Sequence, residues 1–246
     1  MTSPAELPAV TPPAVTPPAD VPGQGAEPLG VDVAVASLVA LRARAGRRVV
    51  VGLAGEPGSG KSTTATLLVD VLVAAGTPAV VVPMDGFHLA GATLARLGRL
   101  DRKGAIDTFD GWGVLALVRR LRAETGHAVY APSFDRAVDE GVAGAIAVEA
   151  GARLVVVEGN YLLVDEDPWA LLRAEVDEAW FCATPGDERF ARLVDRHTTG
   201  GRAPDAAEAW AREVDGTNAV LIEGTRGRAD LVVAGTAPGV PAAVGG

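Results

Sequence analysis

The apolar run RVVVGLAG, residues 48–55, passes without a break into GEPGSGKS, residues 55–62, and then into a helix-like stretch that ends at Gly76. Few features constrain a fold as tightly. A run that is apolar at nearly every position offers no face to water, so it reads as a strand buried on both sides. A glycine-rich loop that turns at once into a helix makes this the opening of a parallel βαβ unit.

The junction also has chemical meaning. Its spacing is G-x-x-x-x-G-K-[ST] in the setting of strand, loop and helix that the motif requires. Gly55, Glu56, Pro57, Gly58, Ser59 and Gly60 would form a loop that wraps closely enough for its N–H groups, which Pro57 alone lacks, to point at phosphate oxygens. The helix that follows adds the positive end of its dipole. Lys61 would neutralise the β and γ phosphates, Ser62 would offer its hydroxyl to Mg²⁺, and Thr63 stands in the same first turn. The chain has only two lysines, Lys61 and Lys103, among 22 basic residues. Arginine serves everywhere else, which suggests that Lys61 is needed as a compact ammonium that a planar guanidinium cannot imitate.

The remaining segments alternate in the same manner. Residues 31–45 and 111–125 read as helices, and residues 61–75 as the helix after the loop. AVVVP (79–83), RLVVVEG (153–159), EAWFCA (178–183) and ADLVVAG (229–235) read as further strands. With the first, they predict an α/β fold: a five-stranded parallel sheet with helices on both faces and no second domain. Ligands of such sheets bind beyond the carboxyl ends of the strands. Two acids fall there. Asp85, in VVVPMDGFHL, follows the second strand on a turn that Gly86 keeps open for substrate, and Glu158 ends the third. A carboxylate in the first place suits a base for an attacking hydroxyl and contact with Mg²⁺; one in the second suits Mg²⁺, directly or through water.

The first 30 residues hold eight of the 17 prolines and a direct repeat, PAVTP at 8–12 and 13–17. They read as a disordered arm, residues 31–235 as the domain, and residues 236–246 as a flexible tail. The arm has no basic start and no continuous apolar stretch, so it is not a signal peptide. No run approaches the length of a bilayer span. A net charge of −9 argues against nucleic acid as a partner, and the single cysteine, Cys182, excludes an internal disulfide framework. A cytoplasmic location is the simplest reading. Cys182, His127, Trp112, Trp169, Trp180 and Trp210 read as structural.

GEPGSGKST, MDGFHL, RKGAIDTFD (102–110), VVVEGNYLL (155–163), RLVDRH (192–197) and RADLVV (228–233) occur in the order that resembles the uridine kinase and pantothenate kinase-like family of P-loop kinases. The likeness covers residues 48–234 and is strongest to the branch named as nucleoside/nucleotide kinase-like or fructose-transport-associated kinases. It implies the P-loop NTPase fold with strand order 2-3-1-4-5, an arginine-bearing lid, ATP and Mg²⁺ as cofactors, and transfer of the γ-phosphate to a small-molecule hydroxyl. Asp85 would be the base. Arg189, Arg192 and Arg196 recur on one face after the fourth strand, and Arg202 follows across Gly200–Gly201. By resemblance, Arg192 and Arg196 clamp the transferring phosphate, and Arg202 joins the ATP site. His88, Arg102, Lys103, Asp107, Tyr130, Phe134, Asp135 and Arg136 are the acceptor-side candidates. YAPSFDR (130–136) is expected to follow a short strand. Each has a plain alternative: Tyr130 and Phe134 as core, His88 bonded to a backbone carbonyl, Asp135 paired with Arg136. The chain is compatible with a homodimer. Two rival readings are a pantothenate kinase and a nucleotide-sensing regulator that does not catalyse. No N-K-x-D element exists, which argues against a guanine-specific switch.

Overall fold

The computed structural model describes residues 27–236. The loop junction seen in the sequence sits at its centre. Strand β1 (Val49–Gly55) is buried along its whole length and lies between β5 (Leu154–Gly159) and β6 (Glu178–Ala183). Strand β2 (Ala79–Pro83) extends the sheet beyond β5, and β7 (Leu231–Ala234) extends it beyond β6. All four pairings are parallel, in the order β2-β5-β1-β6-β7. Counting only the five strands read from the sequence, this is the expected 2-3-1-4-5.

Alternate residues of β1 feed two cores. Val49, Val51 and Leu53 pack with α1 (Val31–Ala45) and α2 (Lys61–Ala74). Val50 and Ala54 pack on the other side with α4 (Gly111–Ala123) and α5 (Trp169–Glu175). Fully burying a Val or Leu is worth about 1.5–3 kcal/mol. An all-apolar strand is therefore favourable only with helices on both faces. Helix α3 (Gly91–Leu97) lies between β2 and α4 in the chain. After β6 come α6 (Gly186–Thr199), α7 (Pro204–Trp210), a π-helical turn (Ala211–Asp215) and α8 (Gly216–Glu223).

Two sequence expectations need correction. YAPSFDR does not follow a strand. Most of it is the strand β3 (Val129–Asp135), which pairs antiparallel with β4 (Glu140–Val148) in a two-stranded hairpin of its own. The domain also begins before residue 31, because Leu29 bridges the outer edge of β7 through Leu29 N–Val232 O and Ala234 N–Leu29 O bonds, each 2.9 Å. The proline-rich arm up to residue 26, and the tail from residue 237, lie outside the described residues. No helix among the described residues is long and apolar enough to cross a membrane.

Candidate active site

The loop after β1 closes through a Ser59 N–Glu56 O bond of 3.0 Å, and α2 starts at Lys61. Gly58 and Gly60 have φ of +79° and +82°. Sterics also hold both positions to glycine. A Cβ on Gly58 would lie 2.8 Å from the Arg189 carbonyl oxygen, and one on Gly60 would lie 2.3 Å from that of Thr236. The loop is thus gripped by the lid helix on one side and by the end of β7 on the other. Lys61 forms no ion pair among the described residues.

The carboxyl ends of β1, β2 and β5 meet at a cleft of about 230 Å³, lined by Ser62, Asp85, Glu158, Ser133, Phe134 and Arg136 among others. Ser62 Oγ donates to Glu158 Oε1 at 3.0 Å. Glu158 is buried, and burial pushes its pKa up to about 7; the charge of Asp85 adds to this, while Lys61, the Ser62 bond and Arg136 oppose it. A hydroxyl and two carboxylates are hard oxygen donors, and a buried carboxylate that resists its own charge gains from a cation. The residues therefore fit Mg²⁺ at Ser62, Glu158 and Asp85. They also fit a polyphosphate: Arg192 Nη1 is buried, without a partner among the described residues, where a Gly60 side chain would be, at 3.2 Å from that Cβ position.

Asp85 sits in a 3₁₀ turn, Met84–Phe87, and its carboxylate makes no hydrogen bond or ion pair among the described residues. It is not a cap. The openness expected of Gly86 is not found. A Cβ there would come within 2.5 Å of the Pro132 carbonyl, so this glycine lets the turn dock against the β3–β4 hairpin.

The acceptor-side candidates divide. Phe134 and Arg136 line the cleft. His88 stacks between Phe109 (4.0 Å) and Phe134 (4.6 Å), and its Nδ1 donates to the Asp85 carbonyl at 2.7 Å. Burial lowers its pKa, and the Asp85 charge opposes this. His88 therefore supports the cleft wall and holds the turn that carries Asp85. Lys103 is committed to Asp139, 2.7 Å from its Oδ2, with its Nζ 5.2 Å from the Phe134 ring centre. Arg102 pairs with Asp107 at 2.8 Å, and Asp107 also meets Arg99 at 3.3 Å. Asp135 accepts from Ala137 N at 2.8 Å and forms no ion pair with Arg136. Tyr130 is 60% exposed and lines no part of the cleft. Trp112 is 60% exposed too, against its reading as a structural residue.

The four arginines of this segment are placed differently. Arg189 staples α6 to the loop, through Glu56 at 3.2 Å and the Pro57 carbonyl at 3.3 Å. Arg192 lies over Gly60 and also pairs with Glu188 at 3.0 Å. Arg196 has Asp215, Arg136 and Asp85 as charged neighbours. Arg202 stacks on Trp210 at 3.9 Å, away from the loop. Sequence reasoning missed Asn160, whose buried Oδ1 has no partner among the described residues, and the buried Asp215. Asn160 was within reach, since it follows Glu158 and Gly159 at the end of β5.

The profile of the family described as methylmalonyl-CoA mutase-associated GTPase MeaB matches residues 26–104, the part that holds the phosphate loop and Asp85. An ATP-dependent kinase-like protein of Aspergillus versicolor is 42% identical over 52% of this chain and 79% of its own. A protein of Schizosaccharomyces pombe, provisionally named a uridine kinase, is 34% identical over 76% of this chain and 83% of its own. The chain belongs to the uridine kinase and pantothenate kinase-like family of P-loop kinases. The crystal structure of a Silicibacter sp. TM1040 protein, provisionally named a fructose transport system kinase, agrees with this P-loop kinase at a TM-score of 0.76 and 42% identity, over 82% of this chain and 97% of that one. Pantothenate kinase from Corynebacterium efficiens is 32% identical, but only 49% of its length is matched.

Proposed function

We propose that this P-loop kinase uses ATP and Mg²⁺ to phosphorylate a hydroxyl of a small molecule. The observation that carries the reading is the free carboxylate of Asp85, which shares one cleft with the Ser62–Glu158 pair. In phosphoryl transfer a protein mainly positions groups and neutralises charge. The N–H groups of the loop and Lys61 hold the nucleotide phosphates. Ser62, Glu158 and Asp85 hold the metal, which supplies charge neutralisation on the phosphate oxygens. Asp85 orients the acceptor hydroxyl and takes its proton as that oxygen bonds to the γ-phosphorus and the bond from this phosphorus to the departing ADP oxygen breaks. Arg192 and Arg196 steady the charge that spreads over the transferring group, and α6 excludes water. Phe134 and Arg136 face the acceptor from the hairpin.

A sensor that only binds nucleotide has no need for a base at this point. The pantothenate kinase reading is not favoured, because the likeness to such an enzyme leaves about half of it unmatched. The test is ADP release by the purified protein against a panel of nucleosides, sugars and vitamin-like alcohols with MgATP. A rise with one acceptor class, and phosphate recovered on that acceptor, is the expected result. ADP release that no acceptor stimulates, with tight ATP binding, would favour the sensor.

A further inference from the structure

The lid helix α6 does not end freely. At its last turn His197 Nε2 meets Asp215 Oδ2 at 2.6 Å, and Arg196 Nη2 lies 3.9 Å from Asp215 Oδ1. A carboxylate can only accept, so Nε2 carries the hydrogen. Asp215 is 7% exposed and closes a π-helical turn between α7 and α8. π turns are rare and concentrate at functional sites. One extra residue in a turn rotates the side chains that follow by about 100°. Here Asp215 faces the lid. A buried carboxylate held by a hydrogen bond adds little net stability over apolar packing, so stability alone does not account for it. What it does is place a carboxylate beside the guanidinium of Arg196, the lid arginine whose other charged neighbours, Arg136 and Asp85, line the cleft.

We propose that Asp215, held by His197, is a positioning residue that sets Arg196 toward the transferring phosphate. The inference rests on the kinase reading for the role of Arg196, but its test needs no acceptor. If Arg196 touches the γ-phosphate, the protein prefers a triphosphate to ADP, and Asp215 acts through the same contact.

The experiment measures affinity for a non-hydrolysable ATP analogue and for ADP, each with Mg²⁺, by calorimetry on the full chain. Arg196→Gln and Asp215→Asn should each lower the preference for triphosphate by about tenfold, the worth of one charge-assisted hydrogen bond. The double variant should be no worse than either single one, because both changes remove one interaction. An unchanged preference in folded Asp215→Asn overturns the proposal, and so does a double variant that loses about a hundredfold, the product of two independent effects. Should Asp215→Asn not fold, His197→Leu decides. It keeps the Asp215 carboxylate and removes the Nε2 donor that holds it, so a reduced preference supports the proposal and an unchanged one overturns it. Failure of every acceptor in the ADP-release panel would count against the kinase reading alone, since the binding comparison stands without it.

Discussion

Ser62 and Glu158 are joined by a 3.0 Å hydrogen bond that ties the first turn of α2 to the end of β5. The bond places a hydroxyl that follows the phosphate loop against a carboxylate from the neighbouring strand. Glu158 is buried, and burial outweighs the support that Lys61, the Ser62 bond and Arg136 give its charge, so its pKa rises to about 7.

Glu158 therefore makes stability depend on pH. Between its ordinary pKa of 4.5 and about 7 the folded state binds a proton that the unfolded state has released. Metal-free protein should be most stable below this window and lose stability as pH climbs through it, by up to about 3 kcal/mol. Glu158→Gln should flatten the dependence and raise the neutral-pH melting temperature, while weakening Mg²⁺-dependent nucleotide binding. Thermal melts from pH 5 to 8, with and without MgATP, read both effects. A wild-type melting temperature that rises through the window would contradict the assignment.

Lys61 stands at the start of α2 without an ion-pair partner among the described residues. Lys61→Ala should leave the fold intact and reduce ATP turnover by at least about a hundredfold, since it deletes the point charge on the β and γ phosphates. Lys61→Arg should also be poor, because a planar fork does not replace an ammonium. Circular dichroism and ADP release on the same samples make the comparison; full activity in the arginine variant would refute the argument from lysine scarcity.

Gly86→Ala tests the docking of the Asp85 turn on the hairpin. The new methyl would lie 2.5 Å from the Pro132 carbonyl, a clash that only backbone movement can relieve. Overpacking of this kind typically costs about 1–3 kcal/mol. Activity should fall further than stability, because the movement displaces Asp85. A folded variant with normal kcat would show that the turn has slack.

The legible and illegible parts of the molecule separate along physical lines. Val49–Gly55 and Leu154–Gly159 are continuous apolar runs, and local composition alone predicts their burial between helices. Glu158 at the end of the second run, and Asp85 after β2, follow from where such strands must stop. The hairpin escaped because β4, EGVAGAIAV, is small, mostly exposed and has no clean alternation. Gly86 was misread because a glycine that makes room and a glycine that permits close packing look alike in one dimension. The grip of Arg189 on the Pro57 carbonyl, and of Asp215 on the lid, are contacts between distant segments with no local pattern.

Asp85→Asn decides the central assignment. The carboxylate of Asp85 has no bond to lose among the described residues, and the hold of His88 on the turn goes to the backbone carbonyl, which the substitution leaves alone. Stability should hardly change, so any loss of rate belongs to chemistry or to the metal. Removing a general base typically costs about 10²- to 10⁴-fold. Nucleotide binding rests mainly on the loop of residues 55–62, so ATP affinity should stay close to normal. If Asp85 mainly holds Mg²⁺, raising the metal concentration should restore part of the rate; if it is the base, it should not. Measured together, kcat with the identified acceptor, ATP affinity and melting temperature at low and high Mg²⁺ separate these outcomes. A near-normal kcat in a folded Asp85→Asn protein would remove Asp85 from the mechanism.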